Sequence, residues 1–426
     1  MMNYILNLID VKYKVLIQNF ISLFILQGLN YILPLITVPY LVRVLGPEKY
    51  GITIFAAAFM IYFQIFTDYG FNLTATRNIS LNKSDKNKVG EIFSSVMTIK
   101  AVLCALSFFV MIILVFSISK FRIDYQVYMF AFIMVVGNAL FPVWLFQGME
   151  QMKYITYVNI IVKSVFTIII FVIVRNPDDY MKLVILNSSS AMVVGIVSLI
   201  LAIKKYKIKF FIPPINAILK ELKEGWHIFV TSMLSTTLTT SGIFILGLFG
   251  SKEIVGYYGA VDKLVKAFIG LFTPITQAIF PHINTKFKIS YECGRNEVLK
   301  FGKYVMLMAL IISSCMFIFH RPIVLLVCSS KYASYSYILK YMSIWLLISV
   351  LNNFIGVQFL IGTGKGAYYS KSFIISAGIT LMLYLVLISR ISYYGIVIGT
   401  IIGELTLTVV MLLFIKFKIH GQPKIS

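Results

Sequence analysis

About twelve long apolar stretches follow one another along this chain of 426 residues, separated by short polar connections. A run of about 20 apolar residues crosses the hydrocarbon core of a bilayer as a helix, because a helix satisfies its own backbone where no water can. The pattern predicts spans near 15–42, 52–68, 90–117, 125–147, 154–174 and 180–203, then near 227–249, 254–280, 301–319, 337–361, 370–389 and 393–415. Hydrophobic residues reach 59% and mean hydropathy +0.89, so the expected fold is an all-α polytopic membrane protein. No connection is long enough for a soluble domain. The first apolar run is too long, and lacks the small-residue pattern, for a cleavable signal.

The basic residues are distributed unevenly between the two sides. With the N-terminus inside, loops such as those holding Arg77, Lys83, Lys86 and Lys88, or Lys204, Lys205, Lys207, Lys209, Lys220 and Lys223, fall inside with about 23 Lys and Arg in all. About 10 remain outside, among them Arg43, Lys49, Lys120, Arg321 and Arg390. Both termini are therefore expected in the cytoplasm. The net charge of +22 reads as topology plus attraction to anionic lipid. Scattered over short loops, it does not read as a nucleic-acid surface.

The connection at 204–225, with the densest basic cluster and Pro213–Pro214, divides the chain into a six-helix lobe at 1–203 and another at 226–426. The halves echo each other. Leu45-Gly46-Pro47-Glu48-Lys49-Tyr50-Gly51 joins the first two spans, and Phe249-Gly250-Ser251-Lys252-Glu253-Ile254-Val255-Gly256 joins the seventh and eighth. Leu145-Phe146-Gln147-Gly148 and Phe359-Leu360-Ile361-Gly362 form a second echo. Repeats of six spans keep their orientation, so two pseudo-symmetric lobes around a central cavity are expected.

Charges at membrane depth are costly, and they face a partner or a wet cavity unless they snorkel to the headgroups. Lys100 falls within the third span, Lys163 within the fifth, and Asp262, Lys263 and Lys266 within the eighth. Asp262 and Lys266, four apart, share a helix face and are expected to pair. Lys263 points about 100° away from Asp262, which leaves its charge available for an anion. Asp68 and Arg77 flank the inner end of the second span, and Glu404 is the only acid of the twelfth. The seventh span carries a row of hydroxyls that includes Thr236, Thr237 and Thr240; these either bond their own helix or line a hydrated path. Pro34, Pro39 and Pro274 remove backbone donors and are expected to bend their helices.

Other chemistries find no support. Gly362-Thr363-Gly364-Lys365 lacks phosphate-loop spacing, no His/Asp/Glu cluster has metal-ligand spacing, and the four cysteines form no disulfide or metal pattern. With no nucleophile beside a base, neither an enzyme nor a cofactor is expected.

The run Asn30-Tyr31-Ile32-Leu33-Pro34-Leu35-Ile36-Thr37-Val38-Pro39-Tyr40-Leu41-Val42-Arg43-Val44-Leu45-Gly46-Pro47 closely resembles the opening of Wzx-like bacterial polysaccharide flippases of the O-antigen and capsule type. Asp68–Ser80, Trp144-Leu145-Phe146-Gln147-Gly148-Met149-Glu150, Gly256–Leu264 and Tyr394–Glu404 look like further landmarks of that family, in order along nearly the whole chain. The resemblance implies the multidrug/oligosaccharidyl-lipid/polysaccharide exporter fold in a bacterial cell (inner) membrane. It also implies an undecaprenyl-pyrophosphate-linked oligosaccharide as substrate, carried to the outer leaflet by alternating access. Bilayer lipids, a polysaccharide polymerase and chain-length proteins are the further partners it implies. On that reading Lys100, Lys163, Lys263, Lys266, Arg43 and Arg77 supply cationic charge for the pyrophosphate. Asp68, Asp262 and Glu404 balance charge or carry a coupling ion, and Thr236, Thr237, Thr240 and Asn30 border the sugar path. The competing expectation is a multidrug or cation antiporter of the same superfamily, whose cavity would favour acids over lysines.

Overall fold

The computed structural model describes residues 2–419, apart from the side chains of residues 2–17, Phe20, Leu23, Thr237, Leu238, Lys418 and Ile419. Thr237 among the sugar-path candidates, the basic residues Lys12, Lys14, Lys418 and Lys424, and the chain termini therefore lie outside the described residues. The described chain is all helix and turn. In order it forms α1 (Met2–Asp68), α2 (Phe71–Leu81), α3 (Lys86–Ser117), α4 (Ser119–Arg122), α5 (Tyr125–Leu140), α6 (Val143–Gly148), α7 (Lys153–Ile173) and α8 (Tyr180–Tyr206). The remaining helices are α9 (Ile215–Phe249), α10 (Lys252–Gly270), α11 (Phe272–Ile289), α12 (Tyr291–Ile318), α13 (His320–Val327), α14 (Tyr337–Asn353), α15 (Gly366–Ile391) and α16 (Tyr393–Phe414).

Among the described residues, 10 helical stretches are long and apolar enough to cross a membrane, or 11 when Ile215–Thr236 and Thr239–Phe249 count together as one. The first of them, Phe24–Leu81, is 58 residues long; it covers the expected span at 52–68 and residues 24–42 of the one before it. Many large apolar side chains in mid-helix point outward, Phe109, Ile113, Ile168, Ile311 and Met382 among them. A bilayer solvates such a surface and water does not. The chain is a multi-pass membrane protein.

Its interruptions have local causes. Inside α1 the backbone leaves the helix only at Gly46, whose φ of 71° and ψ of 172° suit a residue without Cβ. Pro47 then restarts the helix where its missing N–H has no partner to lose. The helix continues through Pro34 and Pro39 with helical dihedrals. Pro274 matches expectation more closely: α10 stops at Gly270, the residue whose carbonyl Pro274 would have to bond. A break that the span pattern did not predict separates α5 from α6 at Phe141–Pro142, where Pro142 likewise leaves the carbonyl of Asn138 without its helical donor.

Contacts divide the chain into two compact units. One holds Met1–Leu33 and Ala56–Met233, the other Pro34–Phe55 and Leu234–Ser426. The sequence-based division at 204–225 differs from this mainly in Pro34–Phe55, which packs with the later helices. The core of the first unit gathers Phe71, Ala75 and Ile79 of α2, Phe93 and Val96 of α3, Trp144, Leu145 and Phe146 of α6, and Ala202 of α8. In the second unit the two echoed turns meet. A Cβ on Gly51 would collide with the Lys252 carbonyl oxygen, and one on Gly256 with that of Pro47. The helix after Pro47 and α10 therefore touch backbone to backbone, a packing that only small residues permit.

Gly51→Leu and Gly256→Leu should each destabilise the protein by several kcal/mol, because no side chain can relax to relieve a backbone collision. Thermal unfolding in detergent measures this; a melting temperature unchanged from wild type would contradict the close packing.

Candidate functional site

In the first unit, Lys100 lies on α3 at 1% exposure, and its Nζ donates to Asp68 Oδ1 at 2.8 Å, forming an ion pair. The geometry has a sequence cause. Gly70, in the left-handed region, ends the turn after α1 and fixes Asp68 there. The Pro142 break takes the i+4 donor from the Asn138 carbonyl, which accepts from the Phe141 N–H at 3.3 Å and from the same ammonium at 3.5 Å. Lys100 is thus paired inside the unit, where it also borders a cavity of about 490 Å³. Arg77, expected beside Asp68, is exposed on α2.

Lys163 of α7 donates to Asn30 Oδ1 at 2.8 Å, which joins two of the candidates through a neutral partner. Lys163 is half-buried and has no carboxylate within 4.0 Å among the described residues.

In the second unit, α10 begins at Ser251, whose hydroxyl caps the helix by accepting from the Ile254 N–H at 3.3 Å. The expected pair forms three turns later: Lys266 Nζ lies 2.7 Å from Asp262 Oδ2, and it also donates to the Thr239 carbonyl at 3.3 Å. Lys263 stays out of that pair. Its side chain is exposed, no carboxylate lies within salt-bridge distance among the described residues, and its Nζ is 5.4 Å from the centre of the Tyr50 ring. The ring face attracts a cation without neutralising it. Arg43 is also exposed and is held by a hydrogen bond to the Leu326 carbonyl.

Among the described residues, no lysine lies within 4.0 Å of the Glu404 carboxylate. The carboxylate accepts from Trp345 Nε1 at 3.0 Å and from Asn352 Nδ2 at 2.5 Å, and Thr408 Oγ1 donates to Asn352 Oδ1 at 2.6 Å. Asp262 and Glu404 line the same cavity of about 80 Å³, together with Tyr258, Thr380, Tyr384 and Thr400. Tyr384 and Thr400 share a hydroxyl–hydroxyl hydrogen bond of 2.7 Å. Two carboxylates and several hydroxyls around one small space make a donor set for a proton or a small hard cation.

The hydroxyl row on α9 is divided. Thr231 bonds the His227 carbonyl at 2.9 Å and Thr239 bonds those of Ser235 and Thr236 at 3.4 and 3.3 Å, which is the inward-looking behaviour available to any helical threonine. Thr236 and Thr240 are half-buried.

Sequence reasoning missed Trp345, Asn352 and the tyrosine lining. Asn352-Asn353 in the middle of an apolar span was a signal of a polar network. The tyrosines carried none, since tyrosine is common throughout this chain.

The family profile described as "Polysaccharide biosynthesis protein" matches residues 16–287. Two curated relatives, each described as "Putative O-antigen transporter", match nearly from end to end. That of Escherichia coli (strain K12) is 30% identical over 400 residues, spanning 94% of this chain and 96% of the relative. That of Shigella dysenteriae is 25% identical over 403 residues, spanning 94% of this chain and all of the relative. Among solved structures, "Lipid II flippase MurJ, inward closed conformation" superposes with a TM-score of 0.75 at 13% identity, covering 94% of this chain and 87% of that one. An inward-facing multidrug resistance MATE family transporter of the MOP superfamily gives 0.68 at 14% identity, covering 92% and 95%. These similarities establish the fold.

Removing one member of the Lys100–Asp68 pair leaves the other charge uncompensated. Lys100→Met alone should cost on the order of 3 kcal/mol, and the double variant with Asp68→Asn should recover much of that loss. Unfolding in detergent checks it; additive losses would show that the two groups act independently.

Proposed function

Because this chain belongs to the polysaccharide biosynthesis protein family, we propose that it is a flippase for an undecaprenyl-pyrophosphate-linked oligosaccharide, an O-antigen or capsule repeat unit. It carries this lipid from the cytoplasmic to the outer leaflet by alternating access. The observation that carries the reading is Lys263, an accessible ammonium on a spanning helix with no carboxylate partner among the described residues. Such a charge is retained in a membrane protein when an anion meets it. A pyrophosphate is an anion of this kind, and Lys266, half neutralised by Asp262, and Lys163, held by neutral Asn30, supply further attraction at lower cost to release.

The sugar must pass a layer that cannot hydrate it, so the path requires hydroxyl and amide partners. Thr236, Thr240 and Asn30 are the described candidates for this role. The reaction class is transport: no covalent bond is made or broken. A polysaccharide polymerase and chain-length proteins are the downstream partners this reading implies.

Two terms can drive the step. Moving negative charge outward runs with an inside-negative potential, worth about 2.3 kcal/mol per charge per 100 mV. Antiport of a proton or small cation is the other, with Asp262 and Glu404 as its carriers and the cavity that both line as its seat. Their carboxylates speak for a coupling ion rather than for a cationic cargo, since Lys263 and Lys266 stand on the helix that carries Asp262 and would repel such a cargo.

Lys263→Gln in a strain that depends on this protein should lower surface polysaccharide by at least about tenfold, the effect of losing 1.4 kcal/mol of binding. Normal polysaccharide with a correctly inserted variant overturns the assignment. In proteoliposomes, an imposed inside-negative potential should accelerate flipping. Glu404→Gln should remove any dependence on a pH gradient while leaving the response to potential; flipping indifferent to both gradients would rule out both driving terms.

A further inference from the structure

The segment Lys204–Trp226 sorts its charges by face. It contains six lysines and only two acids, Glu221 and Glu224. Both acids meet α2: Asn78 Nδ2 donates to the Glu221 carboxylate at 3.2 and 3.3 Å and to Glu224 at 2.9 Å; Glu221 is 5% exposed and Glu224 is half-buried. The same face of α9 packs Ile218 and Leu222 on the core of the first unit, seats Gly225 against Tyr69, and stacks Phe229 on the Tyr69 ring at 4.9 Å.

The opposite face is apolar and basic. Ile215, Leu219 and Trp226 fall within about 40° of one another on the helical wheel, and they are 64%, 56% and 51% exposed. Lys223 and Lys220 lie to one side of that stripe, about 60° and about 120° from its centre on the wheel, and both are exposed. Lys220 reaches Glu224 only at 4.0 Å, so its charge remains largely outward. The extended stretch before the helix continues the pattern, with Lys207 and Lys209 exposed beside Phe210, Phe211 and Ile212.

Water alone would not stabilise so continuous an apolar stripe, and hydrocarbon alone would not take the lysines. A layer that offers acyl chains on one side and anionic phosphate on the other accommodates both. We infer that Lys207–Trp226 is a docking surface for anionic phospholipid headgroups, with Ile215, Leu219 and Trp226 inserted at the level of the acyl boundary and Lys207, Lys209, Lys220 and Lys223 meeting the phosphates. The burial of Glu221 and the bond from Asn78 to Glu224 leave the lysines in clear excess on this surface, which makes it selective for anionic over zwitterionic lipid.

Trp226 is the built-in probe. The full-length protein is reconstituted with phosphatidylcholine and phosphatidylglycerol at fixed mole fractions, one of the two brominated at a time. The Trp226 signal is the difference from Trp226→Phe, which removes the contributions of Trp144 and Trp345. Brominated phosphatidylglycerol should quench that signal several-fold more strongly than brominated phosphatidylcholine, and high salt should erase the difference. Replacing Lys207, Lys209, Lys220 and Lys223 together by Gln should also erase it while quenching by brominated phosphatidylcholine persists. Equal quenching by the two lipids in the wild-type protein overturns the selectivity, and no quenching by either overturns the docking. The readout is independent of transport, so its failure leaves the flippase reading untouched.

Discussion

An ammonium or carboxylate inside a bilayer must find an opposite charge, a set of polar donors and acceptors, or water, because hydrocarbon stabilises none of its charge. This chain uses each solution at a different position. Lys100 is paired with Asp68 and helped by the Asn138 carbonyl, which lacks its i+4 donor at the proline break. Glu404 is met by an indole N–H and an amide. Lys263 has neither solution and is left open. The functional reading follows from that contrast: charges sealed within a unit hold its structure, and an accessible charge is available for cargo.

The helical framework was legible in the sequence because hydrocarbon imposes a length on every apolar run. The i, i+4 pair of Asp262 and Lys266 was legible for the same kind of reason, since one helix fixes the spacing of its own residues. The echoed Gly46–Gly51 and Gly250–Gly256 turns pointed to a repeat of two halves, though not to their packing against each other. That juxtaposition joins residues about two hundred positions apart, and no local pattern encodes it.

The partners of Lys100, Lys163 and Glu404 were illegible on similar grounds. Asp68 was read beside Arg77, its near neighbour in sequence, yet it faces Lys100 across a helix boundary. Asn30 was read only through a family resemblance, and its amide oxygen is what Lys163 meets. The α5–α6 break at Pro142 fell within an apolar run and was hidden by it, although the proline alone supplied the physical reason. A period or a hydropathy sum reports the solvent around a helix; it says nothing of which helix stands next to it.

The account rests on Lys263 being the amine that meets a pyrophosphate, and its chemical reactivity reports this directly. Acetylation of the purified protein by an amine reagent, followed residue by residue by mass spectrometry, should label Lys263 readily and Lys100 hardly at all. Addition of an undecaprenyl-pyrophosphate-linked oligosaccharide should then slow labelling of Lys263 selectively while exposed loop lysines such as Lys331 react as before. Labelling of Lys263 at an unchanged rate with the lipid bound would contradict the account.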